Sequence, residues 1–422
     1  MNRTSARQWA LPVLLAAFAM SAGCAGERAR NANMVVRDSA GIEIVEHTGS
    51  PRDTTGWALT RVLSIGADDP RDTVYQFARI YGVVRLANGS VVVANNSEAR
   101  WFDSTGTYTR SGTRQGNGPG EIAYDIIALT RMMGDSIAAT EMRGGQIKYV
   151  VLSPVGDYVR EHRVDGRKFA ALGPWGECSV TVLADLSQVR CLAGIGGMRN
   201  PGPGLLRSQR RLAHVPATLD SRHELGYDIG IEQFGLTVGP ATTFVVHPFH
   251  ARSHIAAGGT PPRIAIVTNP SYAIEVWTLD GRLERIIRRA DGRRRPTEAE
   301  VAWARTQMTE DVRRYKPEIV NRVATDVPTP DSLPAATDVV IGAHGEILLK
   351  RFHTDSSVYD LYDSGGAYLA ELRLPARFTV FQVDGDYVTG VRFTDDDVPL
   401  VEVYRLAREN ASRNPAQSSP SP

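Results

Sequence analysis

The sequence has little net charge, few cysteines and only one long apolar run. Its 48 Lys and Arg residues balance 47 Asp and Glu residues, which leaves a formal net charge of +1. Because no excess of one sign is present to attract a polyanion, we expect no nucleic-acid partner. The apolar run, Trp9 to Met20, is too short to span a bilayer as a permanent helix, and no second run follows it. The sequence therefore predicts a mature chain without a membrane-spanning segment.

Two catalytic signatures and a complete metal motif are missing as well. The Gly-x-Ser-x-Gly elbow of a serine hydrolase does not occur. The glycine-rich stretch 112–120 lacks the Lys-Ser/Thr pair of a phosphate-binding loop. His247, His250 and His254 have a spacing that metal ligands sometimes show, but Pro248 argues against a shared helical face. We expect these histidines to lie in solvated loops, and we predict no metal, cofactor or catalytic residue.

The N-terminus resembles the signal peptide of a bacterial lipoprotein. Arg3 and Arg7 precede the apolar run, and small residues then lead to a cysteine in the segment Met-Ser-Ala-Gly-Cys24. The segment differs from the commonest lipobox in having Ser21 where leucine is usual. In such lipoproteins the cysteine sulfur is acylated and becomes the new N-terminus after cleavage.

This resemblance implies a signal peptide over residues 1–23, a lipid on Cys24 and a polar tether over residues 24–37. The alternative is an ordinary signal peptide that is cleaved near Ala22. No acidic residue directly follows Cys24, which for such lipoproteins indicates sorting to the outer membrane. The expected location is the bacterial cell envelope, with the membrane as a partner through the lipid.

The other two cysteines, Cys178 and Cys191, flank a predicted hairpin whose turn falls near residues 184–187. This arrangement would bring the two sulfurs roughly opposite each other on adjacent strands, so we predict a disulfide between them. The alternative is a pair of buried, unpaired thiols.

The body of the chain consists of short apolar or alternating runs separated by Gly, Asp-Gly or Asn-Gly. This pattern occurs in six units, which are 82–112, 125–163, 177–229, 253–289, 338–374 and 378–406. Repeats of roughly 40 residues with four strands are typical of propeller blades, so we predict an all-β, six-bladed β-propeller. The last unit lacks an outer strand. The apolar segment Trp57 to Ile65 is expected to supply it and to close the ring.

From Asp38 to Leu406 the chain resembles the six-bladed β-propeller lipoproteins, distant relatives of the NHL-repeat propellers. The most specific residues are the segments Asp38-Ser-Ala-Gly-Ile42 and Gly112-Thr-Arg-Gln-Gly-Asn-Gly-Pro-Gly-Glu121. The resemblance implies a binding or scaffold-like protein of the cell surface or periplasm, without an assigned reaction. We place the propeller at residues 38–408 and a disordered tail at residues 409–422.

One segment, 296–323, departs from the strand pattern. Its apolar residues recur at spacings of three and four, which places them on one face of a helix. Thr297 and Glu300 form a capping-box pattern at its start, and Pro317 should kink or end the helix. We predict an amphipathic helical insertion between the fourth and fifth blades.

In a propeller, the connections between consecutive blades cross one face, where the innermost strands begin. The loop 113–124 and the helical insertion are two such connections, so both are expected beside the mouth of the central channel. Charged residues predicted to form a ligand-binding rim there are Arg114, Glu121, Asp125, Arg252 and Asp338. The alternative is that these charges pair with one another or cap strands.

Two functions fit this pattern. The first is an exported, lipid-anchored, non-enzymatic binding or scaffold protein that takes a small molecule, peptide or protein at the channel mouth. The second is a hydrolase resembling the lactonase and esterase propellers, in which a calcium ion in the channel polarises the substrate. That chemistry needs several acidic or Asn ligands on inner strands, whereas only Asp125 and Asp338 are suitable here. We therefore expect binding rather than catalysis.

Overall fold

A computed structural model describes residues 34–48, 57–66, 72–144, 146–176, 181–193, 204–239, 241–268, 271–290 and 293–408. These residues belong to one compact unit and form mostly β-strands in small sheets. No helix within these ranges is long and apolar enough to cross a membrane. The predicted signal peptide (1–23), the predicted lipid site Cys24 and the predicted tail (409–422) lie outside the described residues.

Three strands precede the repeated sheets, and the first three sheets then follow in chain order. The early strands are β1 (Met34–Ser39), β2 (Ile42–His47) and β3 (Trp57–Ile65). The first sheet contains β4 (Ile80–Arg85), β5 (Val91–Asn95), β6 (Glu98–Phe102) and β7 (Tyr108–Ser111). The second contains β8 (Ile126–Arg131), β9 (Ile137–Arg143), β10 (Gln146–Leu152) and β11 (Tyr158–Arg163), and a short helix follows, α1 (Gly166–Ala171). The third contains β12 (Thr181–Val182), β13 (Gln188–Cys191), β15 (Arg210–Val215) and β16 (His223–Asp228), with β14 (Gly204–Leu206) leaving it between β13 and β15.

The second half of the chain adds a small separate sheet, two helices and three further sheets. The strands β17 (Gln233–Val238) and β18 (Ala241–Val245) join β14 in the separate sheet. The fourth sheet contains β19 (Ser253–Gly258), β20 (Arg263–Thr268), β21 (Ala273–Trp277) and β22 (Leu283–Arg289), and the helices are α2 (Glu298–Asp311) and α3 (Pro317–Asp326). The fifth contains β23 (Asp338–Ile341), β24 (Ile347–Arg351), β25 (Ser357–Tyr362) and β26 (Tyr368–Leu374), and the sixth contains β27 (Phe378–Asp384), β28 (Tyr387–Phe393) and β29 (Pro399–Arg408).

The first strand of each of the six sheets contacts the first strand of the next sheet along the chain. Strand β4 contacts β8, β12 contacts β19, β19 contacts β23, β23 contacts β27, and β27 contacts β4. Between the second and third sheets, the Thr130 hydroxyl on β8 donates to the Val182 carbonyl on β12 over 3.4 Å. Small antiparallel sheets of four strands, packed face to face through apolar side chains, are the building units of β-propellers. The prediction of an all-β fold of the propeller type is therefore confirmed.

Strand β3 completes the sixth sheet. It pairs antiparallel with β29, with Trp57 opposite Arg408 and Ile65 opposite Val401. Ile65 is only 2% exposed and packs in the core between the sixth and first sheets. The N-terminal segment thus supplies the outer strand that the sequence of the last unit lacks, and it covers an otherwise open sheet edge.

Strands β1 and β2 form a hairpin that the sequence did not predict. Its two turn residues, Ala40 and Gly41, have φ values of 55° and 81°, as a tight hairpin turn requires. Strand β2 then pairs in parallel with β22 at the outer edge of the fourth sheet, where Glu43 lies opposite Arg285. Residues 34–37, which the sequence assigns to the tether, are therefore already part of the fold.

The helical insertion lies between the fourth and fifth sheets, but it is not one helix. Helix α2 begins with the predicted capping box, in which Thr297 accepts from the Glu300 backbone and Glu300 accepts from the Thr297 backbone. It ends at Asp311. Pro317 is the first residue of α3 rather than a break within a helix, because a proline needs no N–H bond at that position and its ring keeps the preceding residue out of the helix.

The cysteine predictions are only partly covered by the described residues. Cys191 at the end of β13 is buried and disulfide-bonded. Cys178 lies outside the described residues, so its pairing with Cys191 stays a prediction.

Candidate functional site

A small cap lies on the connections that lead into the fourth and fifth sheets. We use "cap" for β14, β17, β18, α2 and α3. Its core joins Leu236 and Val245 of the small sheet to Met308 and Val323 of the two helices. Phe249, close before the start of β19, packs against rings from α2 and the fifth sheet. The cap is therefore fixed next to the starts of β19 and β23.

A cavity of about 310 Å³ lies where three innermost strands begin. Thr181 of β12, Ser253 to Ile255 of β19 and Asp338 of β23 contribute to its walls, together with Arg252. We call this space the mouth cavity. It brings together two of the five predicted site residues, Arg252 and Asp338.

The cavity wall also contains an ion pair that the sequence did not predict. Arg210 Nη2 lies 2.8 Å from Asp228 Oδ2, and Asp228 is nearly fully buried. The other carboxylate oxygen of Asp228 accepts from the Gly230 backbone N–H over 2.8 Å. Both oxygens of Asp228 are thus occupied, so this acid shapes the wall and adds no available charge. The two partners are 18 residues apart on paired strands, which is why no local sequence pattern reveals them.

Arg252 differs from Arg210 in its surroundings. Its side chain is exposed at the cavity. Within the described ranges no group forms an ion pair or hydrogen bond with the Arg252 guanidinium. Its positive charge is therefore available to a bound molecule.

Asp338 supplies the opposite charge. One of its carboxylate oxygens accepts from the Val339 backbone N–H over 2.9 Å. Burial raises the pKa of Asp338, while the nearby charges of Lys350 and Arg252 act in the opposite direction. Lys350 lies opposite Asp338 on β24 but donates to the Phe378 carbonyl over 2.8 Å instead. The second oxygen of Asp338 remains an acceptor beside the cavity.

The three histidines around Arg252 are not solvated, contrary to the prediction. His247 and His254 are 5% and 7% exposed, and the Nε2 atoms of both, and of His250, are buried without a hydrogen-bond partner among the described residues. Burial lowers the pKa of His254 to about 3, so its ring is neutral at physiological pH. Across the described residues, no three His, Cys, Asp or Glu side chains gather closely enough to hold a metal ion.

Arg114 and Glu121 serve the shape of their own loop. They form an ion pair of 2.7 Å, and Glu121 also accepts from the Gly118 backbone N–H over 2.8 Å. These contacts, the Gly118 bond first and then the Arg114 bond, lower the pKa of Glu121. A side chain at Gly116 would meet the Glu121 carboxylate at 2.0 Å, so a larger residue there would displace this carboxylate from its bonds. The prediction that both residues share a ligand site with Arg252 is not supported.

Asp125 lies in a different cavity, of about 580 Å³, beside Asn95 and Gln115. There it accepts from the Tyr81 hydroxyl over 3.2 Å. Asp125 precedes β8, whereas Arg252 and Asp338 lie at β19 and β23, on other sheets. The sequence alone gives no distances between residues of different sheets, so it did not separate Asp125 from Arg252 and Asp338.

No protein-family profile matches the chain, and no curated protein matches it. Solved structures do. A Bacteroides fragilis protein inferred to be exported is 12% identical, with 86% of this chain and 99% of that chain covered and a TM-score of 0.43. A gluconolactonase from Xanthomonas campestris is 12% identical, with coverages of 82% and 98% and a TM-score of 0.39.

A third similar structure is the β-propeller domain of Cps50 (Swd1) from Myceliophteria thermophila. It is 9% identical, with 82% of this chain and 99% of that chain covered and a TM-score of 0.36. All three TM-scores are below 0.5, so these similarities assign neither a family nor a function to the chain.

Proposed function

We propose that this chain is a non-enzymatic binding protein of the bacterial cell envelope, built as a six-bladed propeller and anchored by a lipid on Cys24. Its ligand is a small polar molecule that binds in the mouth cavity. One observation carries the proposal: Arg252 and Asp338 line the same cavity, and neither forms an ion pair with another described residue.

The surroundings of these two groups support a binding role. The cavity volume of about 310 Å³ is at the lower end of the range of roughly 300–1,000 Å³ that small-molecule sites occupy. The Arg210–Asp228 pair fixes one wall, and Asp228 also accepts from the Gly230 backbone there. A ligand would therefore meet a largely preformed site, and binding would need little reordering of the protein.

The alternative, a calcium-dependent hydrolase of the lactonase type, is less favoured by the small number of acidic groups around Asp338. Calcium sites gather several oxygen ligands around one point. The acidic residues that line the mouth cavity are Asp228 and Asp338, and both carboxylate oxygens of Asp228 already have partners. Among the residues that the structure describes, no three His, Cys, Asp or Glu side chains gather closely enough to hold a metal ion.

A ligand screen on the purified mature protein tests the binding role. We expect at least one class among sugars, peptides, amino acids and lactones to raise the melting temperature and to bind by calorimetry. Binding should weaken in Arg252→Gln and in Asp338→Asn. Arg114→Gln, a matched loss of an exposed arginine that does not line the mouth cavity, should bind like the wild type. Bound calcium by metal analysis together with lactone hydrolysis would instead establish the alternative.

The anchor is tested by cell fractionation. We expect Cys24→Ser to move the protein from the membrane pellet to the soluble fraction, because the acyl chains have no other attachment point. Ser21→Leu restores the commonest lipobox and should leave the protein in the pellet. A Cys24→Ser protein that still sediments with membranes would contradict the lipid anchor.

A further inference from the structure

We infer that the mouth cavity binds a small zwitterion of the α-amino-acid type, a free amino acid or a dipeptide, with its carboxylate on Arg252 and its ammonium group on Asp338. This inference rests on the proposed binding function and specifies the chemical class of the ligand.

The first argument is the balance of available charge. Arg210 and Asp228 neutralise each other in the wall. His254 is uncharged at neutral pH, because burial keeps its pKa at about 3. Lys350 also acts on Asp338, but it is not part of the cavity lining and donates to the Phe378 carbonyl. The charged side chains left in the lining are those of Arg252 and Asp338. A ligand that matches them carries one negative and one positive group and is neutral overall, since an uncompensated charge would meet a repulsive partner.

The second argument is the spacing of the two groups. Arg252 and Asp338 do not approach within the 4.0 Å of an ion pair. Both residues nevertheless line the same cavity, and the charge of Arg252 partly opposes the effect of burial on the pKa of Asp338. A ligand with an ammonium and a carboxylate group a few bonds apart would contact both side chains at once.

The third argument is the hydrogen-bonding capacity of each group. A guanidinium offers a planar fork of N–H donors that matches a carboxylate with two parallel bonds. Asp338 keeps one oxygen to accept from an ammonium group, because the other already accepts from the Val339 backbone. A cavity of about 310 Å³ has room for an amino acid or a dipeptide.

The test uses calorimetry with the full mature protein and a panel of free L-amino acids and Ala-Ala. Each ligand is compared with its N-acetyl form, which lacks the ammonium group, and with its amide, which lacks the carboxylate. For the wild type we expect either modification to weaken binding by about 10-fold to 100-fold, since each removes a charge-assisted hydrogen bond.

The variants assign each end of the ligand. Arg252→Gln should bind the acid and its amide equally, and Asp338→Asn should bind the free and acetylated amines equally. Arg252→Lys keeps the positive charge but lacks the planar pair of N–H donors. Its preference for the acid over the amide should lie between those of the wild type and Arg252→Gln. Arg114→Gln is the control with unchanged binding, and a melting curve of each variant verifies that it is folded.

The outcomes separate the two levels of the proposal. Binding of a sugar or a lactone but of no zwitterion would overturn the inference and leave the proposed binding function standing. Zwitterion binding that neither Arg252→Gln nor Asp338→Asn changes would place the site elsewhere and overturn both. The absence of any ligand across all classes would also overturn both.

Discussion

Arg131, the last residue of β8, forms an ion pair with Asp384, the last residue of β27. The pair links the second and sixth sheets past the first sheet, between residues that are 253 positions apart. Nearby, the Gln382 side chain bonds both the N–H and the carbonyl of Arg85 on β4, over 2.5 and 3.1 Å. The ends of these three innermost strands are thus tied together on the side away from the mouth cavity. Ligand access is accordingly expected from the cap side.

Removing the Arg131–Asp384 ion pair should lower the stability of the fold moderately. Asp384→Asn keeps the size of the side chain but removes the charge that pairs with Arg131, which retains Asp135 at 2.6 Å. Both partners are about a quarter exposed, so solvent screens the interaction, and we expect a loss of about 1 kcal/mol in the free energy of unfolding. Urea denaturation measures it. Asp397→Asn breaks the more exposed pair with Arg377 and should lower the free energy of unfolding by less. Equal losses in the two variants would show that linking the second and sixth sheets adds no stability to the Arg131–Asp384 pair.

A much larger effect is expected between the fourth and fifth sheets. Asp360 has no exposed surface and accepts from Arg289 over 2.8 Å and from the Tyr272 hydroxyl over 2.5 Å. In Asp360→Asn the buried guanidinium of Arg289 loses its ion pair with this carboxylate. We expect the free energy of unfolding to decrease by about 3–5 kcal/mol, and chemical denaturation measures this change. Glu371→Gln alters a more exposed pair with Arg351 and should cost below about 1 kcal/mol. Similar losses in both variants would contradict the role of burial.

The repeated sheets were predictable because their signals are local. Most of them contain neighbouring strands joined by short turns with glycine, so a few residues of sequence indicate each hairpin. The closing strand β3 was inferred from the missing outer strand of the last unit. The small sheet of the cap was not, because β14 pairs with β17 across the intervening strands β15 and β16 of the third sheet. The parallel pairing of β2 with β22 joins segments about 240 residues apart and leaves no local pattern.

The closing strand provides a third test. Ile65 is 2% exposed in the core next to Val401, whereas Val62 on the same strand is 50% exposed. We expect Ile65→Ala to lower the free energy of unfolding by about 2–4 kcal/mol through the cavity that it leaves. Val62→Ala should stay within about 1 kcal/mol. If the two variants had equal stabilities in urea, β3 would not be packed as the structure shows.

The site was predictable only in part, for a geometric reason. Counting back from the inner turns located Arg252 and Asp338 at the starts of two innermost strands, and both line the mouth cavity. The same counting located Asp125 at the start of β8, but it belongs to another sheet and another cavity. The sequence indicates how far along its strand a residue lies, but not how far its sheet lies from the other sheets around the propeller. The burial of His254 was also missed, since it lies on β19, whose neighbours β12 and β23 are distant in sequence.

Stability should fall on mild acidification, and the buried histidines are the reason. Burial is the main cause that lowers the pKa values of His214, His247, His250 and His254, to about 4 for His247 and about 3 for His254. In the unfolded chain these groups titrate near 6.5. Between pH 6.5 and the lower folded values, the unfolded state binds more protons, so the free energy of unfolding decreases as the pH falls. Each histidine contributes at most about 1.4 kcal/mol per pH unit in that range.

Urea denaturation at pH 7, 6 and 5 measures this dependence before most carboxylates of the unfolded chain titrate. We expect a steady loss of stability over this range, and His254→Gln should reduce the slope by up to about 1.4 kcal/mol per pH unit, because it removes one of the groups that gains a proton on unfolding. His344, an exposed histidine in a turn of the fifth sheet, provides the control His344→Gln, which should keep the wild-type slope. A wild-type stability that is constant from pH 7 to 5 would mean that these rings are accessible to solvent in the folded protein.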